Sequence, residues 1–170
     1  MKKRCGIIFG IGLMVSLVIM YGTELGIPGI TQFYKQFKLF DMQFTYNYDI
    51  VTQTFLHIGA EGMRHYQSYL LVDLGFIIFL WLVQAYLNSK IQQKQIKRIA
   101  YALITMRMLF DLTENTMIMI MLRHEKVVSS TYVTISSTIT SLKFICLYSW
   151  IALTCLWWIR TVILRKTSKC

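Results

Sequence analysis

The sequence predicts an all-α fold: an integral membrane four-helix bundle, with short interfacial helices in the first external loop and both termini in the cytoplasm. Hydrophobic residues make up 55% of the 170 residues, against about 45–50% in soluble domains. They form four blocks poor in charge, and a spanning helix needs about 20 mainly apolar residues. We expect one transmembrane domain over 1–170, with spans at about 5–22, 66–87, 99–122 and 132–159 and an external loop at about 23–65.

On one side of these blocks the flanking charges are all basic, whereas the opposite connections mix acids with Lys35, Lys38, Arg64, Arg123 and Lys126, and this asymmetry predicts the orientation. The residues of the all-basic side precede the first block, separate the second from the third and follow the fourth: Lys2, Lys3, Arg4, Lys90, Lys94, Lys97, Arg98, Arg160, Arg165, Lys166 and Lys169. The acids outside the blocks occur only in the two opposite connections, as Glu24, Asp41, Asp49, Glu61 and Glu125. Basic residues at span ends favour the cytoplasm. The net charge of +10 therefore indicates topology and contact with membrane lipids, not a nucleic-acid partner, and a bacterial plasma membrane fits the composition.

The external loop is expected to be structured. Aromatic residues recur at helical spacing between Ile30 and Phe44, which predicts either a helix in the membrane interface or a lid packed across the bundle. Asp49 is a typical N-cap residue and Gly59 a typical helix end, so a second short helix is predicted between them. The first block lacks a small-residue cleavage signal, and we expect an uncleaved span there.

Five ionisable residues lie within the predicted spans: Asp73, Arg107, Asp111, Glu114 and Lys143. A charge costs about 2.5 kcal/mol or more at the bilayer centre, so these side chains should face the bundle interior. Their spacing agrees, because Arg107, Asp111, Glu114 and Asn115 follow an i, i+4, i+7, i+8 pattern along one helix face.

Depth along each helix, at about 1.5 Å per residue, indicates how these groups meet. Lys143 comes level with Asp111, and Asp73 comes close to the level of Glu114. We therefore expect a charge-compensated centre of Arg107, Asp111 and Lys143. The other two carboxyl groups should open toward the outer leaflet and tend to share a proton.

Three functions fit this cluster. In the first, the six polar residues Asp73, Arg107, Asp111, Glu114, Asn115 and Lys143 bind or transport a small amphiphilic or lipidic ligand, with His57, Arg64 and His65 at the pocket mouth. In the second, the charges only fix helix pairing in a non-catalytic accessory or assembly protein. Such a protein can form a homo-oligomer or bind a membrane-protein partner. In the third, Asp73 and Glu114 serve an intramembrane isomerase as acid and base.

The first function is preferred, and the sequence favours a non-enzymatic role. It contains no recognisable activated nucleophile, metal-ligand set or phosphate-binding loop, so we expect no catalytic residue, no metal and no cofactor. A run of serines and threonines from Thr131 to Ser141 indicates tight helix packing or a wet passage leading to Lys143.

The segment Asp111-Leu-Thr-Glu114-Asn115 resembles the third helix of small four-span bacterial membrane proteins that carry a D-x-x-E-N motif. In that group the approach to helix two contains glycine and arginine; here it reads Gly59-Ala-Glu-Gly62-Met-Arg64-His-Tyr66. The resemblance covers most of the chain and implies an architecture without an assigned activity. A looser similarity links the chain to emopamil-binding and sigma-2-receptor-type proteins, which share its size, large first external loop and intramembrane acids and which bind sterol-like ligands. None of their functional positions is matched here.

Overall fold

The computed structural model describes residues 3–124 and 128–167, and the regular structure in these ranges is entirely helical. The elements are α1 (Lys3–Gly22), α2 (Ile27–Thr31), a 3-10 turn (Phe40–Met42), α3 (Tyr48–Ser89), α4 (Lys94–Arg123) and α5 (Ser130–Thr167). Three segments are long and apolar enough to cross a membrane: Arg4–Thr31, Tyr48–Ser89 and Ser130–Thr161. Lys2, Glu125, Lys126, Lys169 and Cys170 lie outside the described residues.

Among the described residues, helix α4 is the one long helix outside these three segments, and its charges distinguish it from α1, α3 and α5. Arg107, Asp111 and Glu114 lie near its middle and are all buried. Its exposed face carries apolar side chains instead, among them Leu109, 50% exposed, and Met106. The helix therefore presents hydrocarbon outward and polar groups inward, the reverse of a helix on the surface of a soluble protein.

The long helices pack in chain order, α1 on α3, α3 on α4 and α4 on α5. Close approach of α1 to α3 depends on glycine. A Cβ atom on Gly12 would overlap the ring of Phe79, and one on Gly6 would lie 2.6 Å from the ring of Tyr86. Small residues at such contacts let helices approach closely in a membrane, where the hydrophobic effect between helices is absent.

The connection between α1 and α3 folds back into the bundle. The continuous helix expected from the aromatic spacing is wrong, because α2 ends at Thr31 and regular structure resumes only at the 3-10 turn. Phe40 is fully buried, its N–H donates a 3.0 Å bond to the hydroxyl of Tyr66, and Phe37 packs edge-on against the same ring. Tertiary packing of these rings has overridden local periodicity, and their burial fits a lid packed against the helices.

Helix α3 contains a break at the position where the sequence predicts a helix end. Gly59 has φ 62° and ψ −174°, a conformation open essentially to glycine alone. The segment before it begins at Tyr48, and the cap is Asn47, not Asp49: the Asn47 side chain accepts a 2.9 Å hydrogen bond from the N–H of Ile50.

Candidate functional site

The centre of the bundle holds a buried network of ion pairs. On α4, Arg107 pairs with Asp111 one turn away. From α5, the ammonium of Lys143 lies 3.0 Å from Asp111 Oδ1 and 2.7 Å from Glu114 Oε2. Each of these four residues is at most 5% exposed. Lys143 and Arg107 thus share Asp111, and Lys143 has Glu114 as a second carboxylate partner.

The two remaining predicted carboxyl groups are not a shared pair. Glu114 is fully buried and is held by Lys143 and by the hydroxyl of Thr140, so it does not open toward the outer leaflet. Asp73 Oδ2 instead accepts a 2.6 Å hydrogen bond from Asn115 Nδ2. The reason is that two side chains of α5, Lys143 and Thr140, bond Glu114 at its own depth in the bundle. Estimating depth on each helix separately does not predict these contacts.

Asp41 is a member of this cluster that sequence reasoning placed in the external loop. The 3-10 turn carries it into the bundle, where it is 5% exposed. The Tyr69 hydroxyl donates a 2.9 Å bond to Asp41 Oδ2, and Lys143 Nζ donates a 2.7 Å bond to the Asp41 backbone carbonyl. Burial raises the pKa of the Asp41 carboxyl, an effect that the nearby Lys143 partly offsets. The sequence signal for burial of Asp41 was its position as a single acid between the apolar residues Phe40 and Met42.

The cluster contains more acids than bases. Four carboxyl groups (Asp41, Asp73, Asp111 and Glu114) surround the two cations of Arg107 and Lys143. An unpaired buried charge is strongly disfavoured in a medium of low dielectric constant. Two of the carboxyl groups therefore require a proton or another positive or hydrogen-bonding partner.

Hydroxyl groups on α5 fasten the loop over this cluster. Ser137 Oγ accepts a 2.9 Å bond from the N–H of Tyr46, while Ser136 Oγ lies 2.7 Å from the Tyr46 hydroxyl. One turn further along, Ser141 donates a 2.7 Å bond to the carbonyl of Phe44. These members of the predicted hydroxyl run therefore dock the loop, a role that the sequence pattern did not indicate.

A cavity of about 140 Å³ lies against the network. Its charged wall is formed by Asp41, Asp73, Arg107, Asp111 and Lys143, and its apolar wall includes Phe76, Leu80, Phe144 and Leu147. Arg107 Nε and Nη1 and Asp41 Oδ1 are buried without a hydrogen-bond partner among the described residues. Leaving such an atom unsatisfied costs about 1–3 kcal/mol. The cavity therefore lies beside two residues, Arg107 and Asp41, that carry unpaired polar atoms.

The other predicted site residues lie elsewhere. His57 stacks on Tyr34 with ring centroids 4.8 Å apart, and His65 Nδ1 lies 3.2 Å from the carbonyl of Glu24. Arg64 is exposed, and none of the three predicted mouth residues lines the cavity. Asn115 reaches the site through Asp73 and also lines a separate groove between α3 and α4.

Comparison with protein-family models, curated proteins and solved structures finds no match for this chain. The resemblances to four-span proteins therefore stay predictions. The chemistry of the site rests on its own geometry: fixed ion pairs, two unmatched carboxyl groups and a small cavity with unpaired polar atoms.

Proposed function

We propose that the chain crosses a bacterial plasma membrane four times, through α1, α3, α4 and α5, with both termini in the cytoplasm. Burial of Arg107, Asp111 and Glu114 supports this placement, because it leaves an apolar outer face on α4. The exposed residues Lys90, Lys94 and Arg98, after α3 and in the first turns of α4, support the orientation, since lysine and arginine near span ends favour the cytoplasmic side.

We further propose that the protein binds, or carries across the membrane, a small amphiphilic or lipidic ligand whose polar head enters the central cavity. The observation that carries this proposal is the cavity itself. Arg107 and Asp41, which carry unpaired polar atoms, line it together with apolar side chains. A polar head would complete the hydrogen bonds that the bundle leaves open.

The size of the cavity limits what enters it. A dry cavity of about 150 Å³ holds a benzene ring, so 140 Å³ admits a headgroup but not a long tail. The apolar wall offers a direction for the tail, since Leu80 and Leu147 are only half-buried. A tail leaving along these residues would pass from the bundle into lipid.

A purely structural role for the cluster is the main alternative, in an accessory or assembly protein. It accounts well for the pairs that Lys143 and Arg107 make, because such pairs fix helix register. It does not account for the cavity or for the unpaired guanidinium nitrogens of Arg107. An isomerase is less well supported, because Glu114, one of its two proposed acid–base groups, is engaged by Lys143 and Thr140 and does not line the cavity.

The proposal is tested by thermal unfolding of the purified protein in polymer-bounded lipid particles. Dodecanoate, dodecylamine, dodecanol and a total lipid extract are added separately, so the three pure compounds share a tail and differ in the head. Wild type and Asp73→Asn are compared with Glu61→Gln, which neutralises an exposed carboxylate of the same helix.

We expect at least one compound to raise the Tm of wild type and Glu61→Gln by about 5–10 °C at about 100 times its Kd. The same compound should leave Asp73→Asn unchanged, although that variant unfolds cooperatively. Glu114→Gln should lower the Tm in the absence of ligand, because it removes the negative charge that pairs with the ammonium of Lys143. If no compound shifts wild type, or if all shift Asp73→Asn equally, the binding proposal is wrong and the accessory role is preferred.

A further inference from the structure

A second groove lies nearer the basic end of the bundle than the charged cavity, and its lining residues on α5 begin one turn beyond Leu147. It has a volume of about 270 Å³ and runs between Leu87 and Ile91 on one side and Trp150, Thr154 and Trp158 of α5 on the other. Two polar groups of this wall are already bonded. Trp150 Nε1 donates a 2.9 Å bond to Asn88 Oδ1, and Thr154 Oγ1 donates a 2.8 Å bond to the Trp150 carbonyl. The surface left open is hydrocarbon.

Cations border this groove. Lys90 and Arg160 are exposed and are the chain neighbours of the lining residues Ile91 and Ile159. In residues 3–124 and 128–167 the carboxylates all belong to the external loop, the start of α3 or the central cluster, and the salt bridges are confined to that cluster. Lys90 Nζ lies 4.8 Å from the centroid of the Tyr86 ring, and neither cation has a carboxylate partner in these ranges, so both can pair with an anion from outside the protein.

We propose that this groove binds an anionic phospholipid of the leaflet at the basic end of the bundle. An acyl chain would lie against Trp150 and Trp158, and the phosphate would pair with Arg160 and Lys90. Arginine matches phosphate geometry well, and tryptophan is enriched at the level of lipid headgroups. The inference uses the membrane placement of the helices and does not depend on the ligand proposed for the central cavity.

Tryptophan quenching by brominated lipids tests the proposal, because bromine quenches only on contact. The chain has four tryptophans, and replacing Trp81 and Trp157 by Phe leaves the two groove residues as reporters. Vesicles of phosphatidylcholine receive equal mole fractions of brominated phosphatidylglycerol or brominated phosphatidylcholine, at about 0.5 M salt to screen general surface attraction. The double variant Lys90→Gln/Arg160→Gln is compared with Lys94→Gln/Arg98→Gln, which removes the same charge at the same end.

Brominated phosphatidylglycerol should quench more strongly than brominated phosphatidylcholine. The preference should fall by about fivefold per charge in Lys90→Gln/Arg160→Gln and stay unchanged in the control pair. Equal quenching by the two lipids, or equal losses in the two double variants, would overturn the proposal. If the tryptophan replacements unfold the chain, native mass spectrometry of the unaltered protein decides: retention of phosphatidylglycerol over phosphatidylcholine supports the site, and equal retention refutes it.

Discussion

The ammonium group of Lys143 donates a 2.7 Å hydrogen bond to the backbone carbonyl of Asp41, 102 residues earlier in the chain. The same nitrogen pairs with Asp111 and Glu114. Its three donors are thus divided between α4 and the folded-back loop. This one side chain joins the charge network to the loop segment that covers the cavity. A substitution in the network should therefore also weaken the attachment of the loop.

Replacing Lys143 by Met should destabilise the fold strongly. It leaves Glu114 without its cation, leaves Asp111 with Arg107 alone and removes the bond to the loop, and breaking a buried pair costs about 3–5 kcal/mol. Thermal or denaturant unfolding measures the loss. The exposed loop variant Lys38→Met is the control and should stay within about 0.5 kcal/mol of wild type. Similar stability of the two variants would show that the network does not support the fold.

Asp41 should make stability fall as the pH rises. Burial raises the pKa of its carboxyl in the folded state, so between about pH 4 and the folded pKa the folded protein holds a proton that the unfolded chain has lost. Raising the pH through that window therefore reduces the free energy of unfolding. The effect is modified by the groups that face Asp41, namely Lys143, Tyr69 and Asp111.

Asp41→Asn should flatten this part of the pH profile, since its amide oxygen can still accept from Tyr69. The measurement is Tm between about pH 4.5 and pH 8. Glu61→Gln, at an exposed site, should keep the wild-type slope. A parallel decline in wild type and Asp41→Asn would show that this carboxyl does not contribute.

The polar face of α4 could be predicted from sequence because local spacing determines it. Arg107, Asp111 and Glu114 share a helix face whatever surrounds them, and the cost of charge in hydrocarbon turns that face inward. Lys143 was placed by its depth along α5, and the structure brings its ammonium within 3.0 Å of Asp111 Oδ1. The observed ion pairs follow from these two constraints.

The loop and the cavity could not be predicted in this way. Contact between Asp41 and Lys143 joins segments 102 residues apart, and no periodicity specifies it. The aromatic residues around Phe37 and Phe40 recur at helical spacing, but this part of the loop is not helical because its conformation is set by burial of those rings. The cavity is lined by residues of five elements, α1, the 3-10 turn, α3, α4 and α5, so no single segment encodes it.

Gly59 and Gly10 should respond oppositely to alanine. Gly59 has φ 62° and ψ −174°, so Gly59→Ala should cost about 1–3 kcal/mol although no atom lies within 4 Å of the new Cβ. Gly10 is helical and also faces open space, so Gly10→Ala should be neutral or stabilise by up to about 1 kcal/mol. Denaturant unfolding of both variants measures the difference. Equal stabilities would mean that α3 does not keep its break in the membrane.

Membrane topology predicts the labelling of single cysteines. In a cysteine-free background, Gln36→Cys and His124→Cys should react with an impermeant maleimide in intact cells, because both exposed sites lie on the outer side of the proposed arrangement. Gln92→Cys, in the turn between α3 and α4, should react only after permeabilisation. Labelling of positions 92 and 124 from the same side would show that α4 does not cross.

The most direct test of the proposed function is to fill the cavity without touching its charges. Leu80→Phe adds bulk to the cavity wall, and Ile78→Phe makes the same kind of change on the exposed face of α3. The Tm shift caused by the stabilising dodecyl compound is measured for wild type and both variants. Our account predicts that Ile78→Phe keeps the full shift while Leu80→Phe loses it and stays folded; an undiminished shift in folded Leu80→Phe would contradict binding in the central cavity.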